Sequence, residues 1–298
     1  MIKPLTTLAL LALISHNATA SVISFVKNDV YSLKDTNKVT AIVNNKIESN
    51  TQVGTGEKSM CELSFDDKSI TRIGENSLFS FIEQERLIKC GDGKFLVSKD
   101  PDTQPITVTA GGITAAITGS TVLFDVKGGI AHIAVVETTS GVTVTDENGK
   151  TVTLQSGEGI SAAPGGMLST EPRPVDVKEM TSSSLFTEQG LAPLANDALI
   201  KGVAGAQETA KALGFSFTSE INDVVAGRID SAAALVRTSG VDIPDIDTAA
   251  GGEAAGSNAP AGSGAGAISG SQQFNPLMNP NLVPPVNSKP NPFEATPI

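Results

Sequence analysis

From Val22 to about Ala163 the chain is built of short runs in which apolar and polar residues alternate, each closed by a turn signal, and this period of two restricts the fold more than any other feature. Successive side chains on a strand point to opposite faces, so such runs build sheets rather than helices. The clearest are Ile106 to Ala110 (ITVTA), Thr121 to Val126 (TVLFDV), His132 to Glu137 (HIAVVE), Val142 to Thr145 (VTVT) and Thr151 to Leu154 (TVTL). Asn148-Gly149 between the last two is a tight-turn signal, because both central residues of that turn favour positive φ. Glycines recur at Gly111, Gly112, Gly119, Gly128, Gly129, Gly141 and Gly157, where an all-β chain turns sharply or lets backbones approach. The pattern predicts a mainly β domain of about ten to thirteen strands, arranged as a sandwich or a short solenoid-like stack. Similar rungs around Gly56 and Gly74 favour stacking.

After Pro172 the composition moves toward Ala, Leu and Gly and the period changes to helical. Leu199, Val203, Ala206, Ala210 and Leu213 make one apolar stripe that Gly214 is placed to end. Ile221, Val225, Ile229, Ala232 and Val236 make a second, with Thr218 or Ser219 as N-cap and Gly240 as stop. The two predict a helical hairpin, too rich in Ala to be stable alone, which docks on the β domain or on a second copy. From about Ile243 onward Gly, Ala, Ser, Pro and Asn dominate, a composition that cannot build a core. Phe274, Leu277, Met278, Leu282, Val283 and Phe293 within it read as a solvated spacer or a short docking segment, and Asp242, Asp245 and Asp247 lack the glycine turn and terminal Glu of a calcium loop.

At the other end, Lys3, the apolar stretch from Leu5 to Ile14 and Ala18-Thr19-Ala20 are the three parts of a secretory leader cleaved after Ala20. Ser15, His16 and Asn17 interrupt that stretch well short of the roughly 20 apolar residues a spanning helix needs, so no transmembrane anchor is expected. The organisation predicted is thus a signal peptide over 1–20, a β domain over 21–170, a linker over 171–194, a helical hairpin over 195–240 and a disordered tail over 241–298, in a periplasmic or secreted protein. The formal net charge of −11 would repel a phosphate backbone, which excludes nucleic acid as a natural partner. No Trp and one Tyr, Tyr31, weaken any sugar site built on aromatic platforms.

Cys61 and Cys90 are the only cysteines, and in an exported chain an even count reads as a disulfide. Closing a loop of about 29 residues would contribute roughly 3.5 kcal/mol. The alternative is a pair of buried thiols acting as small hydrophobes, since Cys61 falls on the apolar face of its strand. Catalytic signatures are missing. His132 is the only histidine beyond the leader and sits inside a strand pattern, and a Cys-His nucleophile would have to use it with Cys61 or Cys90. There is no G-x-S-x-G elbow, and VGTGEKS (Val53 to Ser59) lacks the spacing and helix of a phosphate loop. Asp66, Asp67, Glu83 and Glu85 are candidate sugar-cleaving acids by type alone, with no convergence in their spacing. No cofactor or metal is implied and the chain is expected not to be an enzyme.

The stretch from Thr51 to Ser77 carries the family signal. Cys61, Leu63 and Phe65 point one way while Glu62 and Ser64 point the other, and Ile70 with Arg72 resumes after a polar turn. Thr55-Gly56, Glu62-Leu63, Asp67, Ser69, Arg72, Gly74, Asn76 and Ser77 resemble the repeating pattern of the FecR domain of bacterial envelope sensors. Ile113 to Val126, with Gly119, is similar to that family's Arg-Gly-Thr strand, and the run closing on Gly157-Glu158 to its final strands, so the resemblance covers roughly 21 to 165. Thr51, Lys68, Glu75 and Thr118 depart from the pattern, standing for an acid, the turn glycine, a proline and an arginine. The resemblance implies a FecR-like stacked β domain outside the inner membrane, which takes up a state from a transporter or ligand and passes it on by protein contacts. Sigma-regulating members carry a cytoplasmic domain and a membrane helix ahead of it, whereas here a cleavable leader is expected. Two roles follow: a non-catalytic binding or sensor-type module contacting an envelope protein or cell-surface component, or a structural protein self-associating through its helices as a homo-oligomer. Thr55, Gly56, Asp67, Arg72, Gly74, Asn76 and Gly119 are expected to set turns and rungs.

Overall fold

A computed structural model describes residues 21–168 and 171–239, the side chains of 236–239 excepted. The expected leader over 1–20, the tail over 241–298 and the end of the second stripe at Val236 lie outside the described residues.

The alternating runs do form strands, and the chain lays them down by crossing back and forth between two sheets. It starts in the first sheet as β1 (Ser21–Lys27), makes β2 (Val30–Lys34) and β3 (Asn37–Thr40) in the second, returns for β4 (Lys46–Ile47) and crosses again for β5 (Gln52–Thr55). The hairpin β6 (Met60–Ser64) and β7 (Ile70–Ile73) lies in the first sheet, β8 (Leu78–Ile82) and β9 (Leu87–Cys90) in the second, and β10 (Gly93–Ser98) in the first. Then come β11 (Ile106–Ala110) and β12 (Ile113–Ile117) in the second, β13 (Ser120–Lys127) and β14 (Ile130–Thr138) in the first, β15 (Val142–Thr145) and β16 (Thr151–Leu154) in the second, and β17 (Glu158–Ala163), β18 (Met167–Leu168) and β19 (Arg173–Pro174) in the first. Sandwich and stack are therefore one object: two sheets face each other, and each grows from one edge to the other in nearly sequential order. Neighbours are antiparallel except β9 and β11, which run parallel because β10 makes a single crossing between them.

Ile23, Val53, Leu63, Ile73, Phe79, Phe95, Val108, Phe124, Ile133 and Ile160 fill the space between the sheets. The outer face of the second sheet is open, so β11 and β12 alternate buried and exposed residues. The first sheet is covered on its outer face as well, so β7, β13 and β14 are buried almost throughout.

The cover is the C-terminal segment. The predicted linker is not a linker: it folds as α1 (Val177–Met180) and α2 (Ser184–Thr187), and Val175, Val177, Met180, Leu185 and Leu194 join a second core with Met60, Leu96, Leu123, Ala134 and Val136 of the sheet. α3 (Asp197–Ala212) follows, and its buried stripe is Ile200, Val203, Gln207 and Ala210, rotated from the one predicted, with Leu199 and Leu213 exposed. The second predicted helix is two, α4 (Glu220–Val225) and α5 (Ser231–Ser239), broken at Gly227, whose φ is +72°. Ser219 is its N-cap, as expected, with the Asn222 side chain reaching back to the Ser219 N–H. α3, α4 and α5 each pack on β14, so the expected hairpin is replaced by helices laid separately on the sheet.

The disulfide is a further correction. Cys61 lies in the first sheet and Cys90 in the second, and both are free, buried thiols. The alternative reading, two small hydrophobes of the core, describes them.

Candidate functional site

Glu62 on β6 and Arg72 on β7 are direct cross-strand partners on the outer face of the first sheet, so a tight hairpin register brings them together. Arg72 Nε donates to Glu62 Oε2 at 2.8 Å, and both side chains are almost wholly buried. What buries them is the C-terminal segment, which they grip by its backbone. Arg72 Nη1 donates to the Leu185 carbonyl at 2.8 Å and Nη2 to the Ala192 carbonyl, while the Ala192 N–H donates to Glu62 Oε1 at 3.2 Å. Ser24 Oγ donates to Glu62 Oε1 at 2.7 Å. All three Arg72 nitrogens and both Glu62 oxygens are thus engaged, which offsets the cost of burying the pair. The pair holds both the N–H and the C=O of Ala192, a contact that reads backbone and not sequence.

Two buried amides fasten the next stretch. Gln207 on α3 accepts from the Val177 N–H at 2.9 Å and donates to the Val175 carbonyl at 2.8 Å. Asn222 on α4 accepts from the Asp176 N–H at 3.1 Å and donates to its carbonyl at 3.3 Å. Residues 175–177 are therefore held on three successive residues, as a strand would be by its neighbours.

Two ionisable groups of β14 lie beneath the helices. Glu137 is 1 % exposed, accepts from Thr121 Oγ1 at 3.1 Å and has the Asn196 side chain, at the start of α3, beside it. Burial pushes its carboxyl up to about 7, against the opposing effect of those bonds. His132, also 1 % exposed, has Nε2 3.3 Å from the Ser231 carbonyl at the start of α5 and Nδ1 2.7 Å from Ser161 Oγ. A carbonyl only accepts, so the proton sits on Nε2 and Ser161 donates to Nδ1. Burial lowers this imidazole to about 4.

Between the sheet and the segment lies a cavity of about 480 Å³, lined by Lys94, Leu123 and Asp125 from the sheet and by Met180, Ser183 and Leu185 from the segment. Lys94 Nζ donates to the Val225 and Val224 carbonyls at 2.7 and 3.2 Å and stands 3.3 Å from Asp125 Oδ2. Burial raises the Asp125 carboxyl against the lowering effect of Lys94.

Residues 51–141 match the family model described as FecR protein. The chain carries a FecR domain. Among solved structures, two of a candidate anti-sigma factor from Parabacteroides distasonis ATCC 8503 are similar at 11 % and 12 % identity, each with a TM-score of 0.38 over 44 % of this chain. The match spans 63 % and 62 % of those chains, so this chain covers less than two thirds of their length. Among curated proteins none matches.

Within the FecR domain most of the motif positions are architectural. Thr55 Oγ1 donates to the Gly74 carbonyl at 2.5 Å and accepts from the Ser77 N–H at 3.0 Å, which ties two rungs together. Gly56 and Asn76 close the same junction through an N–H to carbonyl bond of 3.1 Å, with Asn76 at a φ of +50°. Gly119 has a φ of +68° and a Cβ there would stand 2.6 Å from that of Pro101. Asp67 caps its turn through the Ser69 N–H at 3.0 Å and is held by Arg86 at 2.8 Å and by Lys99, 3.4 Å away. Lys68, where the family has glycine, keeps the glycine conformation at a φ of +63°. Arg72 is the exception, since its guanidinium reaches out of the β domain to the segment. Glu62, its partner, was legible as a motif position and as a polar residue on the far face of an alternating strand, and Gln207 and Asn222 gave no signal. The candidate acids do not act as a cluster: Asp66 is exposed and Asp67 is neutralised by Arg86. Among the described residues no group of three or more His, Cys, Asp or Glu is placed to hold a metal ion, and no helix is long and apolar enough to cross a membrane.

Proposed function

We propose that the chain is a non-catalytic sensor-type FecR module, exported to the periplasm or beyond, that makes protein contacts through the outer face of its first sheet. One observation carries this reading: the motif residue Arg72, with Glu62, grips a peptide backbone by both its N–H and its C=O. Its own segment fills that grip. A partner offering an extended strand would compete with residues 185–192 for it, and the exchange would free the helices to report the event. The rival role, assembly through the helices, is weakened because their apolar faces are spent on the chain's own sheet, although Leu213, 76 % exposed, remains outside.

The test is capture from an envelope fraction by the full chain, with a synthetic peptide of residues 184–193 as competitor. A partner released by that peptide, and not by a scrambled one, supports the reading. A partner indifferent to the peptide, or association found only between copies by light scattering, contradicts it.

A further inference from the structure

The N-terminal end of the two-sheet stack is left open. Among the described residues β3 is the terminal strand of the second sheet, all four of its residues are exposed, and Val39, Ile42 and Val43 at this end are 47 %, 59 % and 46 % exposed. Val39 pairs with Ser32, and Ser32 with Val53 of the core, so Val39 lies on the face turned toward the other sheet. The Ala41 N–H donates to the Val30 carbonyl at 2.9 Å. By the alternation of an antiparallel ladder Asn37 and Val39 also address β2, whereas the N–H and C=O of Lys38 and Thr40 point out of the sheet. Such an edge is a template for one more strand. The Lys38 ammonium does not block it, because it is folded over the Tyr31 ring, 3.7 Å from the centroid.

A strand laid antiparallel on this edge meets two conditions at once. Residues opposite Lys38 and Thr40 need a backbone N–H, and the residues between them, whose own N–H points away, set their side chains on the Val39 face. The run from Phe274 to Val283 (FNPLMNPNLV) satisfies both. Its even positions Phe274, Pro276, Met278, Pro280 and Leu282 are all apolar and include both prolines, while its odd positions Asn275, Leu277, Asn279, Asn281 and Val283 all keep a donor. Proline enters a strand at an edge, with the side that lacks the N–H turned to solvent. We propose that this segment of the same chain adds to β3 as an antiparallel strand and closes the apolar end of the stack, with Asn279 opposite Lys38, Met278 opposite Val39 and Leu277 opposite Thr40. The reach suffices. α5 rests on β14, about six strand spacings or roughly 30 Å from β4 at the open end, and a Gly-rich connection of the length of residues 240–273 has an r.m.s. span of roughly 30 Å. The inference concerns the sheet opposite the Arg72–Glu62 grip and is independent of it.

The experiment is NMR-detected hydrogen exchange on the full chain and on two proline variants one residue apart. Leu277→Pro removes a donor that faces β3, whereas Met278→Pro removes one that faces away. In the native chain the Lys38 and Thr40 amides are expected to be protected about tenfold or more, Leu277→Pro to abolish that protection, and Met278→Pro to keep most of it. The Val39 and Ala41 amides, which face β2, report that the hairpin is intact in each protein. Unprotected Lys38 and Thr40 amides in the native chain, or an effect of Leu277→Pro no larger than that of Met278→Pro, would overturn the proposal. Protection that grows with protein concentration would overturn it too, by assigning the contact to the segment of a second copy.

Discussion

Replacing Glu137 by glutamine removes a carboxyl that is protonated in the folded protein at a pH where the unfolded chain has already released the proton. Burial raises it from 4.5 to about 7, a differential of about 3 kcal/mol at roughly 1.4 kcal/mol per unit. Because the folded pKa is the higher, this contribution is full below about pH 4.5 and is lost as pH rises to about 7. His132 does the reverse: its folded pKa falls from 6.5 to about 4, so its charging costs a similar amount as pH drops through that window. In the native chain the two trends largely cancel, and both act on the strand that carries α3 and α5. Urea unfolding of the native protein and of Glu137→Gln at half-unit steps from pH 4.5 to 7.5 isolates the contribution of this carboxyl. The stability of the variant relative to the native protein should rise by about 3 kcal/mol across that range, leaving the variant itself acid-labile through His132. A difference between the two proteins that does not change with pH would refute the burial argument for Glu137.

Three further outcomes follow from the geometry. Lys68→Gly should stabilise the protein by about 0.5 kcal/mol in denaturant unfolding, because a left-handed non-glycine costs roughly 1–2 kcal/mol and the freer unfolded glycine offsets part of the gain. Asn222→Ala should cost about 2 kcal/mol, since it leaves the Asp176 N–H unpaired in a buried position while its carbonyl keeps only the Met180 N–H, and a change below about 0.5 kcal/mol would remove the amide clamp from the account. The Cys61 thiol is pushed up to about 12 by burial and then by Glu62, and burial raises Cys90 as well, so neither should react with iodoacetamide at pH 8 until the protein unfolds. Mass spectrometry of the unreduced protein should find two free thiols, and a mass lower by two hydrogens would restore the disulfide.

The strands were legible because their alternation is local: Ile106, Val108 and Ala110 face the core from β11 just as the sequence pattern places them. The cover over the first sheet was much less so. Residues 171–194 have no period and read as a linker, yet Val175, Val177 and Met180 are wholly buried, since single apolar residues on short helices find a sheet that is already apolar. The α3 stripe was read through Leu199 and Leu213, and the buried face instead runs through Gln207, a polar residue that no hydrophobic pattern selects. Both cysteines line the core between the sheets, as Cys61 suggested, but sequence spacing carries no information on which sheet each strand joins. Glu62 and Arg72 were visible as residues and as motif positions, while their role depends on Ala192, far along the chain, and only the tertiary structure brings it there.

The central claim is that Glu62 and Arg72 hold the C-terminal segment on the FecR domain. Hydrogen exchange by mass spectrometry on the native chain and on the double replacement Glu62→Met, Arg72→Met tests it, with both charges removed so that none is left buried alone. The double replacement leaves the Ala192 N–H and the Leu185 and Ala192 carbonyls without these partners, at about 1–3 kcal/mol for a buried group left unpaired, so the amides of residues 185–192 should exchange roughly tenfold faster or more, while those of β11, β12 and β15 keep their protection. Unchanged protection over residues 185–192 would contradict the account.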